Sequence, residues 1–448
     1  MELQWSKVKR YFSLLVVACG CLPGTNSYAQ QLEFSSSLNP VGSGARAMGM
    51  GGAFIGVADD ATAASWNPAG LIQLEKPEMS FVYSYFYRHQ DYHIDPANGS
   101  GAGNSMDASS VNFASIAYPF VLFDRNITLS LNYQRLYELN KDVALSIVSR
   151  DQNGTPTFDN ALQFNQKGQL YAFSPAIAVQ VVQGLCLGAT FNFWEPIFGH
   201  NGWTTTQTTV TTPTQGSPAP PDLRVSRTFR ERVDFSGFNV NAGFLWNMTS
   251  SLTLGGVVKT LFDAQLKSTL TSSSTVEFTG SGASTTTASG VNETQTLRMP
   301  LSWGLGLAYR HSDSLTVSLD VYRTLWSDME LITADGSRLN PFYNTPIDQG
   351  RLSDTTQVRL GTEYLFIDPK WVVPVRAGLF YDPEPGKGHV DDYYGIAVGT
   401  GFSHPRFSID LAYNYRFGNN VSGDIAQTQD KATDVQQHSV LVSTIIYF

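Results

Sequence analysis

Basic side chains set among small and apolar residues are the groups in this sequence best suited to hold a ligand. Arg376 and Lys259 each have small or apolar residues at the alternate positions that share their strand face, and Arg359 lies in a similar segment. A cation beside an apolar slot, here with Phe380 on the same face as Arg376, can bind a carboxylate that carries a hydrophobic tail. Charged side chains inside a closed structure usually pair with one another, so an ion-pair role is the alternative for each cation, with acids such as Glu363 or Asp410 as partners of Arg376.

Catalytic and metal-binding chemistry have little support in the sequence. It contains no Gly-x-Ser-x-Gly, and its seven histidines are scattered, with His311 and His404 in segments typical of short turns. No two histidines have zinc-ligand spacing on a helix, and Cys186 is the only cysteine beyond residue 21. Residues 42–47 fit the Gly-x-Gly-x-x-Ala dinucleotide fingerprint, but no strand or βαβ unit surrounds them. We expect no enzyme activity, no metal and no cofactor.

The composition argues for β structure and against nucleic acid as a partner. The formal net charge is −9, from 29 basic and 38 acidic residues, and no block of Lys and Arg appears that could track a phosphate backbone. Charged residues make up only 15% of the 448-residue chain, while aromatic residues reach 12%. No apolar run approaches the roughly 18 residues that a membrane helix needs.

Alternating apolar and polar residues are the main structural signal from Met79 onward. In residues 407–417, Phe, Ile, Leu and Tyr share one face, and Ser, Asp, Ala, Asn and Arg share the other. Phe407 and Phe417 end the apolar face, as aromatic girdles do in outer-membrane barrels. A soluble sandwich alternates too, but its polar face is usually rich in Lys and Glu. The pattern therefore favours strands with one face in lipid and the other in a lumen.

Fourteen such segments predict a closed antiparallel barrel, because the strand number of bacterial outer-membrane barrels is even. The segments are residues 79–90, 107–118, 126–138, 167–181, 185–195, 224–246, 251–268, 295–310, 314–326, 355–366, 371–382, 391–403, 405–417 and 437–448. Connections after even-numbered segments are short, such as 182–184, and most of those after odd-numbered segments are long loops, such as 202–223 and 269–294. The predicted fold is all-β, a fourteen-stranded antiparallel transmembrane β-barrel over residues 79–448.

Residues 1–29 have the form of an export signal. Three basic residues precede an apolar stretch at 12–22 that is too short to span a bilayer, and small residues at the end of the segment allow cleavage after Ala29. A lipoprotein signal that leaves a lipidated Cys19 is the alternative. Either signal directs the chain out of the cytoplasm.

The carboxy-terminal residue, Phe448, closes a last alternating segment. An aromatic carboxy terminus resembles the signal by which the barrel-assembly machinery recognises its clients, and the alternative is a strand that ends in Phe by chance. Together with the export signal, it predicts a multi-pass β-barrel in the bacterial outer membrane. The expected partners are outer-membrane lipid and the barrel-assembly machinery.

Residues 30–78 do not alternate as strands do and carry recognisable motifs instead. The motifs are Glu-Phe-Ser-Ser-Ser at 33–37, a glycine-rich stretch at 42–52, Ala-Asp-Asp-Ala at 58–61 and Asn-Pro-Ala at 67–69. This segment resembles the amino-terminal hatch of the FadL/TodX family, outer-membrane transporters of long-chain fatty acids and aromatic hydrocarbons. Residues 300–309 and 375–383 add to the resemblance. It implies a barrel that is plugged by a small hatch at residues 30–78.

The resemblance also points to residues that control the hatch. It implies a gating or structural role for Asn67, Pro68 and Ala69, and Asp59 or Asp60 is placed to cap the short helix that follows. The family's ligand-binding basic residues lie in no motif that matches this sequence, so none is carried over.

The function that the resemblance implies is passive uptake of long-chain fatty acids or other hydrophobic compounds, such as aromatic hydrocarbons, along a path that leaves through the barrel wall. Aromatic residues near the third long loop are candidates for an outer capture groove, with a girdle role as the alternative: Phe193, Trp194, Phe198 and Trp203. A PorV-like, secretion-associated barrel adaptor for exported proteins is the alternative function. A general porin is a third possibility, against which the hatch argues.

Overall fold

A computed structural model describes residues 37–39, 42–92, 99–101, 104–151, 153–217, 219–422 and 431–448. The predicted export signal, with Cys19, lies outside these residues. Within them, no helix has both the length and the apolar character needed to cross a membrane.

The wall of the molecule is a ring of fourteen antiparallel strands. They are β1 (Glu78–Tyr92), β2 (Asn104–Leu122), β3 (Arg125–Glu138), β4 (Pro156–Val182), β5 (Leu185–Trp194), β6 (Leu223–Asn247), β7 (Leu252–Lys259), β8 (Ser302–Arg310), β9 (Leu315–Thr324), β10 (Thr355–Ile367), β11 (Val372–Tyr381), β12 (Tyr394–His404), β13 (Phe407–Ser422) and β14 (Lys431–Tyr447). Each strand pairs with its neighbours in chain order, and β14 pairs with β1 to close the ring. The predicted barrel is therefore confirmed.

Strand alternation places the apolar face outward, as predicted. On β13 the side chains of Ile409 and Leu411 are exposed, whereas those of Asp410 and Ala412 are buried inside the ring. Such a wall presents an apolar band to lipid and keeps its polar groups within the lumen. Turns after even-numbered strands are short, two residues between β12 and β13 for example, and connections after odd-numbered strands are longer.

The predicted strand bounds are wrong around β7 and β8. The predicted segment 251–268 joins β7 to a separate strand, with a break after Lys259, and the predicted segment 295–310 joins another separate strand to β8. The second break falls at Pro300, which has no amide hydrogen to donate to a ladder. Alternation continues across both breaks, so the sequence pattern alone does not reveal them.

Two segments that the sequence predicted as loops, 202–223 and 269–294, contain long strands. These strands, together with shorter strands in the other long connections, are called loop strands below. They are Gly99–Gly101, Lys141–Arg150, Gly202–Pro213, Phe262–Phe278, Ala283–Met299, Glu330–Ile332, Arg338–Leu339, Glu384–Pro385 and Val390–Asp391. Several of them extend the wall beyond β4 and β6. Thr is β-branched and suits a strand, but Thr on both faces produces no apolar alternation.

The hatch lies inside the ring and has little regular structure. It contains two short helices, α1 (Ala45–Gly49) and α2 (Ala63–Trp66), and a 3₁₀ turn over Pro68–Gln73. Further 3₁₀ turns, Trp326–Asp328 and Ile347–Gln349, belong to a long loop. Alanines, Met50, Phe54 and Trp66 form the hatch core, so its compact shape depends on small side chains.

Candidate functional site

Asn67 connects two parts of the hatch to the barrel wall. Its side-chain amide donates to the carbonyl of Ile55 at 3.0 Å and to that of Phe244 on β6 at 2.9 Å, and its Oδ1 accepts from Ala69 N–H at 3.2 Å. The side chain is buried, and Pro68 begins the 3₁₀ turn at a position where a missing amide hydrogen costs nothing. The Asn-Pro-Ala motif therefore forms a docking point between hatch and wall.

The two aspartates before α2 have different partners. The predicted cap is wrong, because the N-cap residue of α2 is Thr62 and no side chain caps the helix. Asp60 Oδ1 accepts hydrogen bonds from the backbone N–H and the hydroxyl of Thr62 instead. Burial raises the pKa of the Asp60 carboxyl. Asp59 instead forms an ion pair with Arg46, whose pKa is raised because Asp59 and Glu363 outweigh the lowering effect of burial.

A chain of charged side chains runs from the hatch into the wall. Arg46 Nη2 lies 2.8 Å from Glu363 Oε1 on β10, and Glu363 Oε2 lies 2.6 Å from Arg376 Nε on β11. Arg376 Nη1 then lies 2.6 Å from Asp410 Oδ1 on β13. Arg376, Glu363 and Asp410 are all buried. The structure thus gives Arg376 two carboxylate partners, while its role as a ligand cation stays a prediction.

Arg359 and Phe380 lie together beneath the hatch backbone. The Arg359 guanidinium donates to the carbonyl of Gly51 at 2.9 Å and to the Asp382 carboxylate at 3.2 Å. The guanidinium carbon, Cζ, lies 5.3 Å from the centre of the Phe380 ring. Both side chains border a cavity of about 160 Å³ between the hatch and the wall. The structure therefore brings these two candidates together at one space.

The cavity combines polar and apolar surfaces. On β1, β2 and β14 its lining mixes small side chains, such as Ser84 and Ser110, with larger ones, such as Phe86, and Met48 of the hatch and Phe380 of β11 supply further apolar surface. Arg416 and Asp382 also border it and pair with one another at 2.9 Å. The space can hold a compact apolar molecule beside a polar group.

Lys259 lies apart from this cavity. It borders a smaller cavity of about 40 Å³ together with Trp194, Phe262 and Trp326, and its ammonium lies 5.5 Å from the centre of the Tyr322 ring. Since neither cavity includes Arg376, the four predicted ligand residues fall at three places. Only Arg359 and Phe380 share one.

Glycines on the inner wall allow the hatch backbone to approach closely. A Cβ at Gly188 would lie 2.3 Å from the Pro68 carbonyl carbon, and one at Gly243 would lie 2.1 Å from Asn67 Oδ1. The glycines also face each other across strands, in the pairs Gly188 with Gly243, Gly255 with Gly306, and Gly361 with Gly378. Sequence reasoning missed this contact surface, although glycines at inward positions of successive strands were visible in the pattern.

Two β-bulges lie in the wall beside the cavity. The register of β1 with β2 shifts between Val82 and Tyr83, so Asn112 has no partner residue on β1, and the register of β3 with β4 shifts at Leu136. Asn112 and Leu136 both border the cavity. Bulges disrupt the ladder locally and bend the strand, so the wall is irregular beside the cavity.

A sequence profile of outer membrane transport proteins, described as OMPP1/FadL/TodX, matches residues 27–445. The chain belongs to this family. Membership places the protein in the outer membrane as a transporter of hydrophobic compounds and confirms the predicted family and location. No curated protein sequence matches the chain.

Solved structures of other family members share the fold. A Pseudomonas aeruginosa FadL homologue has 17% identity and a TM-score of 0.61, over 92% of this chain and 100% of its own. The toluene transporter TodX of P. putida has 17% identity and a TM-score of 0.55, over 92% and 99%. The toluene transporter TbuX of Ralstonia pickettii has 17% identity and a TM-score of 0.53, over 92% and 99%.

The aromatic residues near the third long loop separate into two environments in this FadL/TodX family member. Trp194 and Trp203 are buried in a hydrophobic core among the loop strands, so they do not line an open outer groove. Phe193 and Phe198 are exposed, and the ring of Phe193 lies tilted against that of Phe238 on the outer wall, with ring centres 5.0 Å apart. That placement is typical of an aromatic girdle.

Proposed function

We propose that this protein takes up small hydrophobic molecules passively, through the barrel, with the hatch as the gate. Family membership supports transport of hydrophobic compounds, and the hatch fills the lumen that would otherwise be an open channel. The proposal requires no catalytic step. It gives the hatch and the cavity beside it the central roles.

The cavity of about 160 Å³ between hatch and wall carries the proposal. A cavity of about 150 Å³ is known to hold one benzene molecule. The space therefore suits a single-ring compound, with Phe380 available for ring contact and Arg359 close to it. A long-chain fatty acid fits only if the hatch moves away, because Met48 and Ser43 of the hatch border the cavity.

The exit that we propose lies between β1 and β3. The family resemblance implies a lateral path, and the bulges at Asn112 and Leu136 weaken the wall beside the cavity. Tyr85, whose side chain is exposed on the lipid side, also borders the space. A ligand leaving here passes directly from the lumen to lipid.

Hatch movement is proposed to depend on the contacts of Asn67, Pro68 and Ala69, and on Asp59 and Asp60. Asn67 and the Asp59 partner Arg46 both bridge hatch and wall. Breaking these contacts frees the hatch without breaking any backbone hydrogen bond between the strands of the barrel. For this reason the gate can open while the ring stays intact.

A pair of neighbouring serines tests whether the cavity is on the route. Ser110 borders the cavity, whereas Ser109, the residue just before it on β2, points to the outer face. We expect Ser110→Phe to reduce toluene uptake into proteoliposomes severely and Ser109→Phe to leave it unchanged, at equal amounts of inserted barrel. Equal toluene uptake by the two variants would show that the transport path does not pass through the cavity.

Comparison of substrates separates the remaining possibilities. We expect the unsubstituted protein to take up toluene faster than palmitate, because toluene fits the cavity beside the docked hatch, whereas palmitate needs a larger hatch movement at every step. Faster palmitate uptake assigns the protein to fatty acids instead. Uptake of neither, with exported protein bound to the purified barrel, favours the secretion adaptor.

A further inference from the structure

The outer surface of the extended wall carries a group of exposed basic residues. Lys167 lies on β4, Arg230 and Arg232 lie on β6, and Lys267 lies on the loop strand Phe262–Phe278. These four residues are called the basic outer face below. They occur on three strands that project past the membrane-facing part of the wall.

Strand alternation places all four side chains on the outside. Val233 and Leu266 are buried in the core among the loop strands, and Gln166 is buried as well. Because successive side chains point to opposite faces, Arg232, Lys267 and Lys167 point away from that core. Arg230 shares the face of Arg232, two residues along the same strand.

The sheet register gathers these charges from three separate strands. Lys167 pairs with Thr204, and Thr204 pairs with Arg232, so the two basic residues are two strands apart, roughly 10 Å. Arg232 pairs with Thr269, two residues from Lys267. Arg230 and Arg232 are about 7 Å apart along β6. The four cations therefore occupy one continuous patch.

One carboxylate, that of Asp234, offsets part of the charge of this patch. Asp234 is its acidic neighbour and lies 3.3 Å from Arg232 and 3.0 Å from His200. Among the described residues, no carboxylate lies within ion-pair distance of Lys167, Arg230 or Lys267. The patch is therefore basic although the whole chain has a net charge of −9.

The patch begins just where the apolar outer band ends. Phe193 and Phe238 are exposed on the outer wall and contact each other. Lys267 pairs with Asp234, which is four residues beyond Phe238 on β6, about 13 Å along the strand. With strands tilted by about 40°, that is roughly 10 Å above Phe238. This height corresponds to lipid headgroups and not to the acyl chains.

We propose that the basic outer face binds the phosphorylated sugar headgroup of a glycolipid in the outer leaflet. Arginine binds phosphate oxygens through two parallel hydrogen bonds, and lysine adds a point charge. A headgroup with two phosphates spans the distance from Arg232 to Lys167 or Lys267. Thr204 and Thr269 lie between these cations and offer hydroxyls to the sugar.

A lipid is favoured over a soluble anion because the patch is flat and exposed. A free phosphate needs a concave site with several donors around one ion, whereas these four side chains stand on the exposed face of a sheet. A lipid is held at the right height by its acyl chains, so each cation adds to an attachment that already exists. The bound lipid would fix the depth of the barrel in the membrane on the β4 to β6 side.

Binding of lipid A to the purified full-length protein tests this inference. The probe is bis-phosphorylated lipid A in mixed micelles, compared with the same lipid after removal of its phosphates, and bound lipid is counted by native mass spectrometry. We expect K167Q/R230Q/R232Q/K267Q to bind the phosphorylated lipid at least about tenfold more weakly than the unsubstituted protein. The dephosphorylated lipid should bind weakly to both.

The matched control removes four exposed basic residues at the opposite rim: R125Q/R310Q/K370Q/R406Q. It changes the net charge by the same amount and should bind lipid A as the unsubstituted protein does. On the unsubstituted protein, raising salt from about 0.1 M to about 1 M should weaken binding, which requires no substitution. Equal loss in both quadruple variants, equal binding of the dephosphorylated lipid, or displacement by inorganic phosphate overturns the proposal.

Discussion

Asn67 is the residue whose loss should most directly loosen the hatch. Replacing it with Ala leaves the buried carbonyls of Ile55 and Phe244 without their amide donor, at a cost of about 1 to 3 kcal/mol. We expect Asn67→Ala to speed hydrogen exchange of the hatch amides and raise ion leakage, with unchanged heat-modifiable migration of the barrel. Asn126→Ala, at an exposed rim position, is the control. Hatch exchange equal to that of this control contradicts the docking role of Asn67.

Asp60 should make hatch stability depend on pH. Burial raises the pKa of its carboxyl above the ordinary 3.8, so the docked hatch holds the proton more tightly than the released hatch does. The stabilising contribution is therefore complete below about pH 3.8 and falls as pH rises through the interval up to the raised pKa. Asp60→Asn keeps an oxygen acceptor for Thr62 and should flatten this dependence. Hydrogen exchange of the hatch, corrected for intrinsic rates, gives the comparison.

The role of Arg376, as an ion-pair partner or as a ligand cation, can be decided by how its replacement changes the affinity for two kinds of ligand. Glu363 and Asp410 both depend on it, and removing one partner of a buried ion pair costs about 3 to 5 kcal/mol. We expect Arg376→Gln to lower the thermal midpoint and to weaken a neutral hydrocarbon and a carboxylate ligand alike. If only the carboxylate ligand loses affinity, Arg376 is the ligand cation that the sequence predicted.

The sequence predicted which candidate residues face the lumen better than it predicted which side chains they contact. Arg359 and Phe380 were predicted as lumen residues, and the structure places both at the cavity. The carboxylates around Arg376 come from strands β10 and β13, which are far apart in sequence. The register between successive strands brings them together, and the alternation within one strand does not give that register.

At the level of strands, glycine on the inner wall should be essential for docking of the hatch. We expect Gly188→Ala to displace the hatch, because the new methyl group would lie 2.3 Å from the backbone of Pro68. Gly290→Ala is the matched control, since its nearest neighbour would be 3.6 Å away. Limited proteolysis of the hatch is the measurement. Equal protection in both variants contradicts the close approach.

Alternation predicted the number of strands well, because lipid on one side and a lumen on the other impose a period of two. It failed where both faces meet water. The loop strand Gly202–Pro213 is mostly Thr and lies beyond the membrane, so no apolar face marks it. The sequence analysis also did not predict the basic outer face, because its residues come from three strands and form no block in the sequence.

For the whole molecule, assembly should depend on the terminal aromatic residue. Phe448 is exposed, and its backbone N–H donates to the Pro77 carbonyl at 2.9 Å, so the ring itself is not needed inside the fold. We expect deletion of Phe448 to lower the amount inserted in the outer membrane while export continues. Phe448→Tyr should insert normally. Unchanged insertion of the deletion variant shows that the residue has no assembly role.

Gating by the hatch is the central claim, and a reversible lock tests it most directly. The backbone N–H of Ala45 in α1 donates to Ser443 Oγ on β14 at 2.7 Å, so the two residues are neighbours across hatch and wall and are chosen as the positions for an engineered disulfide. The variant is A45C/S443C, with the single variants as controls and gel mobility to confirm the bond. Toluene flux into proteoliposomes is measured before and after addition of a reductant. We predict flux near that of empty vesicles when the lock is closed and recovery when it is reduced. Equal flux in the locked and reduced states would contradict a gate formed by the hatch.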